Sequence, residues 1–294
     1  MKSRSIFLSL LLHVPIAHAG EAVDKALDVR PDGWVRIDNV RGRIEVGGWD
    51  KNQVTVNGTL DDEAERLVFE TDGATTTVKV VTPNNLKHGA GSNLVIRVPV
   101  ASPVRVEVVS ADLHLTNLQG GVEGKSVSGA IDANGLGKRI EFSTVSGDIA
   151  VAQSNGPLEL HSVSGDMTAD VDTESVDVGT VSGDAHVRSA KAVATIALNS
   201  VSGDIDVDAD LSSGARVKGS SVSGDIHLAI NPNADAVIDL NATAGGSIKN
   251  SLTSDVPAKQ GYGPGRQLQF TLGAGKGAID LTTVSGTLAL APRQ

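Results

Sequence analysis

Six aspartates recur along the chain at Asp112, Asp148, Asp166, Asp184, Asp204 and Asp225. If equivalent positions stack on one another, their carboxylates form a column roughly 5 Å apart, and each adjacent pair repels by about 1 kcal/mol in a water-like dielectric. Such a column must face solvent. It can accept hydrogen bonds from nearby turn amides, or it can hold hard divalent cations through oxygen, calcium above all. The calcium candidates are Asp148, Asp166, Asp184, Asp204 and Asp225, although the spacing and glycine content differ from those of the calcium-binding nonapeptide repeat.

Two residues further along each copy lies a second column: His114, Asp132, Ala150, Thr168, His186, Asp206 and His227. Here His186, Asp206 and His227 would sit on three adjacent units. Two imidazoles flanking a carboxylate are transition-metal ligands by type. The outer pair, however, would stand about 10 Å apart at the backbone, which favours a solvated polar binding face over relaxed chelation. Trp49, on the Gly47-Gly48 turn, is a further binding candidate. Paired carboxylates are also the equipment of a polysaccharide lyase or hydrolase, the alternative reading from another functional class. Against it, only Phe142 offers an aromatic platform between residues 104 and 248, and no column is broken by a distinct basic cluster. The recurring serines have no fixed histidine beside them to make them nucleophiles.

These residues belong to one repeated phrase. Val-Ser-Gly-Asp is complete at Val145–Asp148, Val163–Asp166, Val181–Asp184, Val201–Asp204 and Val222–Asp225, and degenerate copies begin at Val109, Val127, Ala244 and Val284. Its third position is spaced by 18, 18, 18, 18, 20, 21 and 22 residues from Ala111 to Gly246, and Gly286 follows 40 residues later. A fixed period of this kind marks a repeat architecture. Each unit carries two apolar alternations, as in Leu158-Glu159-Leu160 and Val163 to Met167. Their parity flips at His161-Ser162, which requires a bend. Length varies only between the second alternation and the next first one, so one corner is fixed and the other is a loop.

The pattern predicts an all-β chain: a parallel β-solenoid with about 18–22 residues per coil and irregular capping ends. Two inward ladders are expected, one of Val127, Val145, Val163, Val181, Val201 and Val222, and one of Ile149, Met167, Ala185, Ile205 and Ile226. The anchor glycine either has φ > 0 or sits where a side chain would crowd.

Residues 1–19 read as a signal peptide. Lys2 and Arg4 precede an apolar stretch from Ile6 to Ile16, and Ala17-His18-Ala19 is a small-x-small cleavage site. Residues 20–103 form an N-terminal β region and cap, and residues 104–294 form the repeat with its C-terminal cap, together one continuous domain over 30–290. Residues 249–277 are expected to shield the far end, while Trp34, Trp49 and Tyr262 pack the caps. Without Lys2 and Arg4 the chain has 23 basic and 35 acidic residues, a net charge of −12. That balance argues against nucleic acid and anionic membranes as partners. There are no cysteines, so an exported chain must rely on packing and backbone pairing. No apolar stretch after residue 20 is long enough for a transmembrane helix.

The phrase, the export segment and the opening Arg43-Ile44-Glu45-Val46-Gly47-Gly48-Trp49-Asp50 together resemble the bacterial "putative adhesin" family, a domain of unknown function with tandem V-S-G-D units. The passage from Leu94 to Val109 is similar to it as well, and the resemblance covers residues 30–290. It implies a β-solenoid at the cell envelope; together with the residues it leads to the expectation of an exported, non-enzymatic protein, periplasmic or on the cell surface, that meets an envelope or cell-surface partner by adhesion, binding or scaffolding. It brings no site residues. Arg41 and Arg43 depart from the Ser and Asp of the later units.

Overall fold

The computed structural model describes residues 20–85, 89–259 and 263–293. The proposed signal peptide and Tyr262 lie outside them. The described residues form twenty-three β-strands and no helix.

Each unit contributes one strand to each of two faces. On the first face the parallel ladder runs through residues 35–39, 104–108, Val122–Ser126, Ile140–Thr144, Leu158–Ser162, Ser175–Thr180, 195–200 and 216–221. On the second it runs through residues 42–47, 110–116, Ile131–Asn134, Ile149–Asn155, Met167–Asp172, 185–189, 205–209 and Ile226–Ile230. Side chains alternate in and out of the space between the faces. Equivalent apolar residues therefore meet across units, as Val122, Ile140, Leu158 and Val176 do. Gly124 belongs to such a ladder because a Cβ there would lie 2.7 Å from the Phe142 ring, which is fully buried beside it.

The ladder of Ile149, Met167, Ala185, Ile205 and Ile226 is buried as expected. The expected inward ladder of Val127, Val145, Val163, Val181, Val201 and Val222 is not. These valines are 42–47% exposed. The residue before each of them, Ser126, Thr144, Ser162, Thr180, Ser200 and Ser221, is buried instead. The reason, in every unit named except that of Ser162, whose Oγ is buried without a partner among the described residues, is a hydrogen bond at the bend. Ser126 Oγ donates to Gly129 O at 2.7 Å and Thr180 Oγ1 to Gly183 O at 2.6 Å, while Gly147 N donates to Thr144 Oγ1 at 2.9 Å. The parity flip thus falls on the exposed pair Val163-Ser164, two residues later than the apolar pattern placed it.

The anchor glycines are also settled. Gly147, Gly165, Gly183, Gly203 and Gly224 are absent from the left-handed region. A Cβ on any of them would stand 2.0–2.1 Å from the carbonyl oxygen of the glycine one unit below. The requirement is close approach of backbone to backbone. Left-handed residues gather at the other corner, at Asn117, Gly135, Lys138, Gln153 and Gly156. Length changes are absorbed there as well, with register shifts after Ala152 and after Ser189.

The expectation of a parallel solenoid throughout needs correction, because the sheet is mixed. At the N-terminal end, Ala22–Asp28 pairs antiparallel with Gln53–Thr59, which pairs antiparallel with Ser92–Pro99. Arg66–Thr71 pairs antiparallel with Thr75–Val81. At the other end, Arg266–Leu272 runs antiparallel along Ala236–Ala242. The stacking order also departs from chain order. The unit of residues 34–49 lies between Thr75–Pro99 and the unit beginning at Val104. The last unit, residues 277–292, lies between residues 216–230 and 236–250. Antiparallel hairpins at both ends occupy backbone edges that would otherwise template further stacking.

Replacing Gly183 with Ala should lower stability in urea by about 3 kcal/mol, because the added methyl must displace a neighbouring backbone. Ala111→Gly, at the equivalent position of an earlier unit, should change it by no more than about 1 kcal/mol.

Candidate functional site

The corner assigns a task to every polar residue of the phrase. Each aspartate accepts the amide of its counterpart one unit on: Asp166 N to Asp148 Oδ1 at 2.9 Å, Asp184 N to Asp166 at 3.0 Å, Asp204 N to Asp184 at 2.9 Å and Asp225 N to Asp204 at 2.8 Å. The relay continues from Asp112 to the amide of Ala130 and from Asp225 to that of Thr287. One oxygen of each proposed calcium ligand is therefore held by a turn amide. Among the described residues, no group of three or more His, Asp or Glu side chains is arranged to hold a metal ion. The serine hydroxyls donate to the valine carbonyl one unit below, at 3.3 Å for Ser146 and Ser164 and 2.9 Å for Ser202.

The second column stacks as the spacing requires. His186, Asp206 and His227 are consecutive partners in parallel register. His227 Nδ1 lies 2.6 Å from Asp206 Oδ1, whereas no hydrogen bond joins His186 to Asp206 among the described residues. His186 turns instead toward a groove of about 520 Å³ on the outward surface of the second face. There the column narrows to Ala150 and Thr168, and its neighbour narrows to Ala152. His114 and Asp132, 3.5 Å apart, stand at one end, and His186 and Arg188 at the other. The ends are four strand spacings apart, about 19 Å. Gly47 and Gly48 are not a turn but pair within the strand that Trp49 ends, and Trp49 is half-buried beside the bend that follows it. Its indole N–H donates to Gln53 O at 2.8 Å, and Lys51 Nζ lies 4.9 Å from the ring centroid. Trp34 is 53% exposed and packs no cap.

Two ionic clusters escaped the sequence reading. Arg41, at the Ser position of its unit, forms a bidentate pair with the buried carboxylate of Asp61 and reaches Glu63 Oε2 at 3.0 Å. The Arg41 hydrogen bonds hold the Asp61 carboxyl down to about 2, against the opposing effect of burial, and they raise the guanidinium's own pKa. The sequence signal was the misfit of Arg41 with the phrase. Residues 61–65 form a turn, with Ala64 N donating to Asp61 O at 2.9 Å. Near the C-terminus, Arg293 contacts Asp208 at 2.7 Å, Asp210 at 3.3 Å and Ser189 O at 2.8 Å, which ties the last strand back across three units.

The Toastrack DUF4097 family matches residues 36–290. The chain belongs to this family. No curated protein matches it. Among solved structures, a "putative cell adhesion protein" from Clostridium sporogenes ATCC 15579 is 10% identical, covering 93% of this chain and 100% of its own, with a TM-score of 0.24. A "putative adhesin" from Bacteroides fragilis NCTC 9343 is 7% identical over 92% and 97%, with a TM-score of 0.34. A "putative lipid binding protein" from Parabacteroides distasonis ATCC 8503 is 12% identical over 92% and 97%, with a TM-score of 0.31. Likeness at this level carries no argument about function.

The Toastrack corner predicts a distinction between substitutions. Asp184→Ala removes the acceptor for Asp204 N and should cost about 1 kcal/mol, whereas Asp184→Asn keeps an acceptor oxygen and should cost less than half of that. Millimolar calcium or a chelator should leave the melting temperature unchanged, and a clear rise with calcium would assign ions to the column. The Asp61 pKa is lowered on folding, so its contribution is complete above the ordinary carboxylate range. It is lost as pH falls from about 4 through 2, a change of roughly 2 kcal/mol that Asp61→Asn should abolish in acid titrations. Arg41→Ala strands a buried carboxylate and should cost roughly 3 kcal/mol at neutral pH.

Proposed function

We propose that this Toastrack protein is an exported, non-enzymatic β-solenoid of the bacterial envelope that presents the outward surface of its second face to an envelope or cell-surface partner. The observation that carries the reading is the groove over Ala150, Ala152 and Thr168, where two outward columns lose bulk between polar ends. Such a depression accepts a ligand lying along the stack, held by Asp132, His114, His186 and Arg188. Export is supported by the composition of residues 1–19, and the acidic surface favours a neutral or basic partner over an anionic one. The serines are engaged with backbone carbonyls, which fits a scaffold better than a nucleophilic enzyme.

Capture from envelope extract on the immobilised chain tests this reading. A partner retained by the wild type should be lost with Ala152→Trp, which fills the groove from an outward position and leaves the core untouched. Equal capture by both proteins, or no capture, would overturn the groove as the binding surface. Release of reducing or unsaturated ends from envelope polysaccharide would overturn the non-enzymatic reading.

A further inference from the structure

The corner valines form an apolar edge that the fold itself leaves uncovered. From Val109 to Val284 each is 40–47% exposed. At a spacing of roughly 4.8 Å, the eight make an edge about 35 Å long. Contiguous apolar surface on that scale is uncommon on monomeric proteins and marks an interaction site. The flanks of the edge differ. On one side runs the aspartate column. On the other lies a groove of about 460 Å³ beside Val163, Val181 and Val201, with Gly179 in its floor. Its outward column reads Ser143, His161, Gly179 and Asn199, without a carboxylate; the next column out holds Asp177 and the carboxylates of Glu141 and Glu159, both paired with Arg139.

We propose that two copies of this chain pair along the edge, each valine column lying in the neutral groove beside the other. A second copy fits for three reasons. The groove and the edge share the strand spacing, so a ridge of the same period matches it along its whole length. Pairing through the groove flank leaves both unpaired aspartate columns on the outside, whereas two of the carboxylates beyond the groove, Glu141 and Glu159, are bound to Arg139. The valines offer roughly 500 Å² per copy, and with the groove the pair buries roughly 1,200 Å² in total, the lower end of specific interfaces. The dimer is accordingly weak and reversible, and it places the groove over Ala150 and Ala152 outside the contact.

Sedimentation of the purified chain tests the pairing. The apparent mass should double between roughly 1 and 200 µM, which corresponds to a dissociation constant in the micromolar range. The Val163→Lys/Val181→Lys variant should remain monomeric throughout, with an unchanged circular dichroism spectrum and melting temperature, because both sites are already exposed. The chain has no cysteine, so a lone Val181→Cys should be joined to its partner by a flexible bis-maleimide, whereas a lone Ala150→Cys should not. The proposal is overturned if the wild type stays monomeric at the highest concentration, if the lysine variant associates equally, or if only Ala150→Cys is cross-linked.

Discussion

The repeated units meet backbone on backbone. At the fixed corner, the glycine of one unit lies so near the glycine carbonyl of the unit below that no side chain fits between them. That approach sets the height of each step and requires glycine where the phrase has it. The hydroxyl at the preceding inward position, Thr144 or Thr180 for example, bonds within its own bend. The aspartate takes the amide of the next unit. A turn that would leave buried backbone groups unpaired is thereby satisfied by residues within five positions of one another.

The ends follow a different logic. A stack built only of parallel units would end in unpaired strands. Here the chain steps outward and back at both ends and lays antiparallel strands along its outer units. The Arg41 pair with Asp61 fastens the N-terminal excursion to the first corner, and Arg293 fastens the C-terminus to strands more than eighty residues earlier in sequence. A domain without disulfides holds its termini by register and by ion pairs that are half-buried or better.

Much of this was legible in the sequence. The spacing gave the unit length, the location of the variable loops and the register that places Asp206 beside His227. Other features were not, for physical reasons. Val163 reads as inward because apolar residues usually are, yet the hydroxyl before the phrase, as at Ser126 or Thr180, meets a carbonyl at the bend, and the valine is left outside. The 284–290 unit comes last in the chain but not last in the stack. Its insertion beneath residues 236–250 depends on long-range pairing that no local pattern records. The groove was hidden for a similar reason, since Ala150 and Ala152 acquire meaning only beside the larger residues of neighbouring units. Asp61 was invisible because its partner lies twenty residues away in a unit that breaks the phrase.

The repeated carboxylate serves the backbone of the next unit. Residue-resolved amide hydrogen exchange on the native chain tests it most directly. The amides of Asp166, Asp184, Asp204 and Asp225 should exchange at least roughly 100-fold more slowly than exposed loop amides, and Asp166→Ala should abolish protection at residue 184 while sparing residue 225. Loop-like exchange at these amides in the wild type, or undiminished protection at residue 184 in the variant, would contradict it.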